Sequence, residues 1–181
     1  LARAGMTLVH AAEALPGWAA LAELRDEVGP RGPVHSAEKL VDWFGARRFV
    51  VGYTHQPYRD RLLGALGLLG ARAAIAVRGL EGSDVVRPGR PVADGLSGPL
   101  ELPEQLGDTI GPAPGAEASA ELTRAALAGA AGRVVETAVT LSAGVRLHAA
   151  GAAPTPLRGA SAARAAIADG RATATLEALV G

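Results

Sequence analysis

The 181-residue chain contains no cysteine. Disulfides and thiolate metal sites are therefore excluded. Lysine is nearly absent too, since Lys39 is the only one, and arginine carries almost all the positive charge. With 24 glycines, 12 prolines and a 49% hydrophobic content that is largely alanine, this reads first as the codon bias of a GC-rich genome. Aromatic residues make up only 3%. Net charge is zero, so no global electrostatic attraction draws the chain to nucleic acid or membrane, although a local basic patch is still compatible with it. No apolar run approaches the ~20 residues of a membrane span. The first residues lack a charged segment followed by an apolar one, so a cytoplasmic location is the default expectation. The length suits one domain, residues 1–181. Leu1 is not a methionine and the chain opens in mid-pattern, so an N-terminal part is expected upstream.

The most informative stretch runs from Arg47 to Val86. Phe49–Tyr53 is a β-branched and aromatic run of strand length. Pro57 suits a first helical turn, which tolerates a missing N–H. Tyr58, Leu62, Leu63, Leu66 and Leu69 then recur at helical spacing, and Gly70 supplies the helix stop. Ala73–Val77 is a second strand-like run, followed by a polar loop from Gly79 to Asp84. Two strands joined by such a helix are expected to lie parallel. Ligands bind beyond the carboxyl ends of strands in such sheets, which brings Thr54-His55-Gln56 and Glu81–Asp84 side by side.

Elsewhere, Met6–Val9 reads as a short strand and Pro16 opens a helix to about Val28. That helix buries Trp18, Leu21, Ala22, Leu24 and Val28. Ser36 is a candidate N-cap for a helix over Ala37–Phe44. Short apolar pieces near Val92 and Leu100–Leu102 suggest an antiparallel excursion. Helices follow over Ser119–Ala131, Arg133–Ala150, Ala160–Asp169 and Arg171–Val180. The expected fold class is α/β, a partly parallel sheet flanked by helices, with a helical C-terminal third.

Several polar residues invite a functional reading beside a plain one. His35 and Lys39 lie one helical turn apart and suit an anion at the crevice; otherwise they are a loop histidine and a solvated lysine. Lys39 opposes the dipole of its helix, which suggests a task other than helix stability. His55 sits just past a strand end, as a ligand contact or bonded to the loop backbone. Arg78 suits a phosphate, or pairs with Glu81. Arg47 and Arg48 read as a solvated edge, and His148 as packing. Four scattered histidines give no metal-ligand spacing, and no Ser-His-Asp arrangement stands out.

The order of these elements resembles the α/β domain of the anthranilate phosphoribosyltransferase family, the fold shared with pyrimidine nucleoside phosphorylases. Leu24-Arg25-Asp26-Glu27-Val28-Gly29-Pro30-Arg31 is similar to the family's VR-x-x-LG-x-R. Arg78-Gly79-Leu80-Glu81-Gly82-Ser83-Asp84 is similar to HG-x-x-G-x-DE, and Ile167-Ala168-Asp169-Gly170-Arg171-Ala172 to I-x-SG-x-A. The resemblance implies transfer of a phosphoribosyl group from phosphoribosyl pyrophosphate to an aromatic amine such as anthranilate. It implies that Arg25 contacts the acceptor's carboxylate, the alternative being a pair with Glu27 or Asp26. It further implies Mg²⁺ at Asp84, the alternative being a turn cap. Position 85 is valine where the family has a second acid. The glycine-rich phosphate loop, KHGN and the N-terminal helical part lie upstream in the family, so a fragment is expected. His35, Ser36, Lys39 and Leu40, together with Thr54-His55-Gln56-Pro57-Tyr58, are similar to a branch of anthranilate phosphoribosyltransferase-like proteins. In that branch dimers form and some members bind nucleic acid. A homodimer binding single-stranded nucleic acid or a phosphorylated ligand is therefore the second expectation.

Overall fold

A computed structural model of the chain describes residues 5–21, 24, 27, 29, 36–103, 110–111 and 115–180. The Arg47–Val86 stretch forms the expected unit. Strand β1 (Arg48–Tyr53) leads into helix α3 (Gln56–Leu68) and strand β2 (Ala73–Arg78). Two short helical turns, α1 (Ala11–Ala14) and α2 (Pro16–Ala19), precede them. β1 and β2 pair in parallel, from Arg48 opposite Ala73 to Tyr53 opposite Arg78. Pro57 occupies the first turn of α3, and Gly70 follows its end at φ 77°, a conformation glycine adopts without a Cβ penalty. The antiparallel excursion is β3 (Ala93–Gly95) and β4 (Gly98–Pro99), giving the sheet order β1-β2-β3-β4.

Strand alternation sends two sets of side chains to opposite faces. Val51, Tyr53, Ala74 and Ala76 pack against Leu62 and Leu66 of α3. Ile75, Val77 and Ala93 pack with Val86 against Leu141, Val145 and Ala149 of helix α5 (Arg133–Ala149). Leu66 and Leu141, both inaccessible to solvent, each contribute about 1.5–3 kcal/mol by burial. The C-terminal third is helical, with α4 (Ala116–Leu127), α5, α6 (Pro156–Ala168) and α7 (Arg171–Val180). α5 crosses α6 at Gly144 and Gly159. A Cβ on Gly144 would collide with Pro156 O and lie 2.6 Å from Ala160 N, so the two backbones touch without side chains between them.

Several expected boundaries move. Residues 6–10 form no strand, and Leu8 is 82% exposed: no neighbouring strand offers them hydrogen bonds or cover among the described residues. The helix expected over Ala37–Phe44 ends in a 3₁₀ turn at Glu38–Leu40. Val41 is extended, and the Asp42 carboxylate accepts from Ala46 N and Arg47 N instead, closing a turn before β1. Ser36 is itself helical, so it is not the cap. α4 starts three residues before Ser119. α6 starts four residues before Ala160, because Thr155 Oγ1 accepts from Arg158 N and Pro156 takes the first turn. The stripe on α3 is narrower than its spacing suggests. Tyr58 and Leu69 are exposed, and the Arg61 guanidinium lies over the Tyr58 ring at 5.9 Å. Leu24 is also exposed, and much of the Pro16–Val28 stretch lies outside the described residues.

Candidate site at the strand ends

The carboxyl ends of β1 and β2 meet the turn Leu80–Gly82. The chain passes very close here. A Cβ on Gly52 would collide with the Ser83 and Gly82 carbonyls, and one on Gly79 with Ser83 O. The two glycines let the turn fold back over the strand ends. Lys39 fixes that approach, since its Nζ donates to Gly52 O and to Gly82 O, both at 2.8 Å. Thr54 lies against the same turn, because a Cβ on Gly82 would stand 2.6 Å from Thr54 Oγ1. Lys39, Thr54 and Gly82 therefore form one cluster. The task inferred for Lys39 from its unfavourable helix position is at least in part this clamp.

His55 is exposed and stands at the N-cap of α3, with its carbonyl accepting from Tyr58 N. Arg78 is exposed at the last position of β2, opposite Tyr53. Both residues thus sit at the ends of adjacent parallel strands. Arg25 and His35 lie outside the described residues.

Asp84 turns to the other side of the sheet. Its carboxylate accepts from Arg146 Nη2 on α5. Arg146 Nη1 also donates to Ser142 O, and Ser142 Oγ accepts from Val86 N at 2.9 Å. A groove of about 260 Å³ opens there, lined by Arg48, Phe49, Val50, Asp84, Arg146 and Ala149 among others. Arg48 is not simply solvated, since its Nη1 donates to Ala149 O at 2.6 Å, near the end of α5. His148 packs as expected, with Nδ1 3.1 Å from Ala153 O.

Sequence reasoning passed over a third group. Asp94 on β3 is 7% exposed, and its Oδ2 has no hydrogen-bond partner. Its Oδ1 is 3.4 Å from Arg59 Nη1 on α3. Burial raises the Tyr53 phenol above its usual range, and the Asp94 charge adds to the effect. A lone acid inside a short apolar strand was the available signal.

The Mg²⁺ implied at Asp84 can be tested against these donors. Asp84 is bonded to a guanidinium, and its neighbour Val85 offers no side-chain oxygen. No group of three His, Cys, Asp or Glu suits a metal among the described residues. Among the described residues, the donor set at Asp84 does not fit a hard divalent cation, which takes several oxygen ligands.

No family model matches the chain. It is 31% identical to an anthranilate phosphoribosyltransferase of Paracidovorax citrulli (strain AAC00-1), over 99% of this chain and 55% of the relative. Anthranilate phosphoribosyltransferase 1 of Ralstonia nicotianae (strain ATCC BAA-1114 / GMI1000) is 32% identical over 97% of this chain and 54% of its own. The crystal structure of anthranilate phosphoribosyltransferase (TrpD) from Thermus thermophilus superposes with a TM-score of 0.75 at 28% identity, covering 90% of this chain and 51% of that one. The chain is thus similar in sequence and in fold to the anthranilate phosphoribosyltransferase family. It spans about half the length of the two curated transferases. The α/β fold is that of the family, with β1-α3-β2 supplying its parallel strands. Among the described residues, no helix is long and apolar enough to cross a membrane.

Proposed function

We propose that the chain is the α/β part of a protein that transfers a phosphoribosyl group from phosphoribosyl pyrophosphate to an aromatic amine such as anthranilate. The observation that carries this reading is the match in sequence and fold over nearly the whole chain. In the proposed reaction, the bond from the anomeric carbon to the pyrophosphate oxygen breaks. A bond from that carbon to the amine nitrogen forms, and the amine loses a proton. The chain's part is positioning and electrostatic stabilisation. Arg25 would hold the acceptor's carboxylate with its planar fork. His35, His55 and Arg78 would face the phosphate groups, and the Lys39 clamp would set the turn beside them. The full-length protein would act as a homodimer, with the remaining phosphate-binding elements outside this chain.

Val85 and the Asp84–Arg146 pair favour a second reading: a non-catalytic dimeric relative that binds single-stranded nucleic acid or a phosphorylated ligand. One experiment separates the two. The full-length protein is incubated with phosphoribosyl pyrophosphate and anthranilate, and pyrophosphate release is measured against anthranilate consumption. Stoichiometric turnover supports the transferase. Its absence, with oligonucleotide binding that persists at physiological salt, refutes it and supports the relative, because nonspecific binding falls steeply with salt.

A further inference from the structure

We infer that the cleft where α4, α5 and α6 meet binds a free α-amino acid with an apolar side chain. The inference does not rest on the transferase reading, and no residue of β1, β2 or the Leu80–Gly82 turn lines the cleft. The space follows from small residues. α4 ends at Leu127, and the chain turns through Gly129 at φ 71° and Gly132 at φ 83° before α5 begins. A Cβ on Gly129 would lie 3.3 Å from Ile167 Cγ2, near the end of α6. Ala128 and Ala168 add only a methyl each to the wall. Three helices thus meet at a corner that side chains do not fill, and a cleft of about 480 Å³ opens there. That volume lies within the range of small-molecule sites.

Charged side chains of both signs line the cleft, Arg133 and Glu136 at the start of α5 and Arg164 on α6. Glu136 suits its position, because a carboxylate complements the dipole at a helix N-terminus. Arg133 opposes the same dipole, so helix stability does not account for it. The two stand three residues apart, as neighbours on the helix surface, and still form no ion pair. Arg164 has no ion-pair or side-chain hydrogen-bond partner among the described residues either. By contrast, Arg146 on the same helix as Arg133 and Arg171 at the start of α7 are each paired with a carboxylate. Two open guanidinium groups and one open carboxylate therefore share one cleft. A simple anion would meet Glu136, and a simple cation would meet the arginines. A zwitterion satisfies both signs: its carboxylate accepts from a guanidinium fork, and its ammonium donates to Glu136. Ala128, Ile167 and Ala168 leave an apolar wall for its side chain.

The test is calorimetric titration of the full-length protein with L-leucine, L-methionine and L-phenylalanine. Saturable binding of at least one, at millimolar concentration, is expected. The analogues of that amino acid lacking the ammonium or the carboxylate, phenylpropanoate and phenylethylamine in the case of L-phenylalanine, should each bind about tenfold or more weakly. Glu136→Gln is the discriminating variant. It should weaken the amino acid about tenfold and leave the analogue without the ammonium bound as tightly as before or tighter, because it removes a repulsion. Arg164→Gln should weaken both, with Arg133→Gln as a second variant and melting curves to verify folding. No binding of any of the three amino acids would overturn the inference. So would an analogue without the ammonium that binds as tightly as the amino acid, or an affinity that neither Glu136→Gln nor the arginine variants move.

Discussion

Replacing Gly144 by alanine tests whether α5 and α6 touch backbone to backbone. The new methyl would collide with Pro156 O and meet Ala160 N at 2.6 Å and Ala160 Cα at 3.1 Å. All three are backbone atoms of a neighbouring helix, so no side chain can swing aside. Overpacking of this kind costs up to about 3 kcal/mol. Alanine's better helix propensity offsets about 1 kcal/mol of that. The net loss is about 2 kcal/mol, which lowers the melting temperature of a domain this size by roughly 4–8 °C. Gly64→Ala in α3 is the matched control, because nothing stands within 4 Å of its new methyl. It should raise stability by up to about 1 kcal/mol. Thermal melts followed by circular dichroism would measure both. A Gly144→Ala protein that melts at or above the parent would refute the close crossing.

Two further perturbations probe the strand ends and the last helix junction. Lys39→Met removes both bonds to the Gly52 and Gly82 carbonyls and should cost about 1 kcal/mol, since the ammonium is only partly buried. Amide exchange should accelerate over residues 80–84 and stay unchanged in α6; unchanged exchange at the turn would exclude the clamp. Asp169 accepts from Arg171 Nε and Arg171 N, and the side-chain bond in particular holds its carboxyl below the usual 3.8. Its contribution is therefore full above that value and lost as pH falls through the lower folded one. Asp169→Asn should melt below the parent at about pH 6, and the two should converge in strong acid. A gap that persists there would rule out ionisation as the cause.

The strand-end part of the candidate site was legible in the sequence. The spacing around Pro57 and Gly70 placed His55 and Arg78 at the ends of two parallel strands, and the structure has them there. The direction in which Asp84 faces was not visible. Reading it as a neighbour of Thr54 treated the loop after β2 as one surface, whereas Ser142 draws residues 84–86 to the α5 side and Lys39 draws Gly82 to Thr54. Nothing near Asp84 in the chain announces Arg146, 62 residues away.

The sequence alone determined the elements whose signals lie within a few residues of one another. These are the helical spacing of Leu62 and Leu66, the stop at Gly70, the strand runs on either side, and Arg171–Val180 after Gly170. Tertiary structure decided what each polar group is bonded to. Lys39 reaches a carbonyl 43 residues on, Arg48 one 101 residues on, and Gly144 meets Gly159 across a helix crossing. The physical reason is range. Backbone preference and hydrophobic period act along the chain, whereas hydrogen-bond partners are fixed only once two faces have packed.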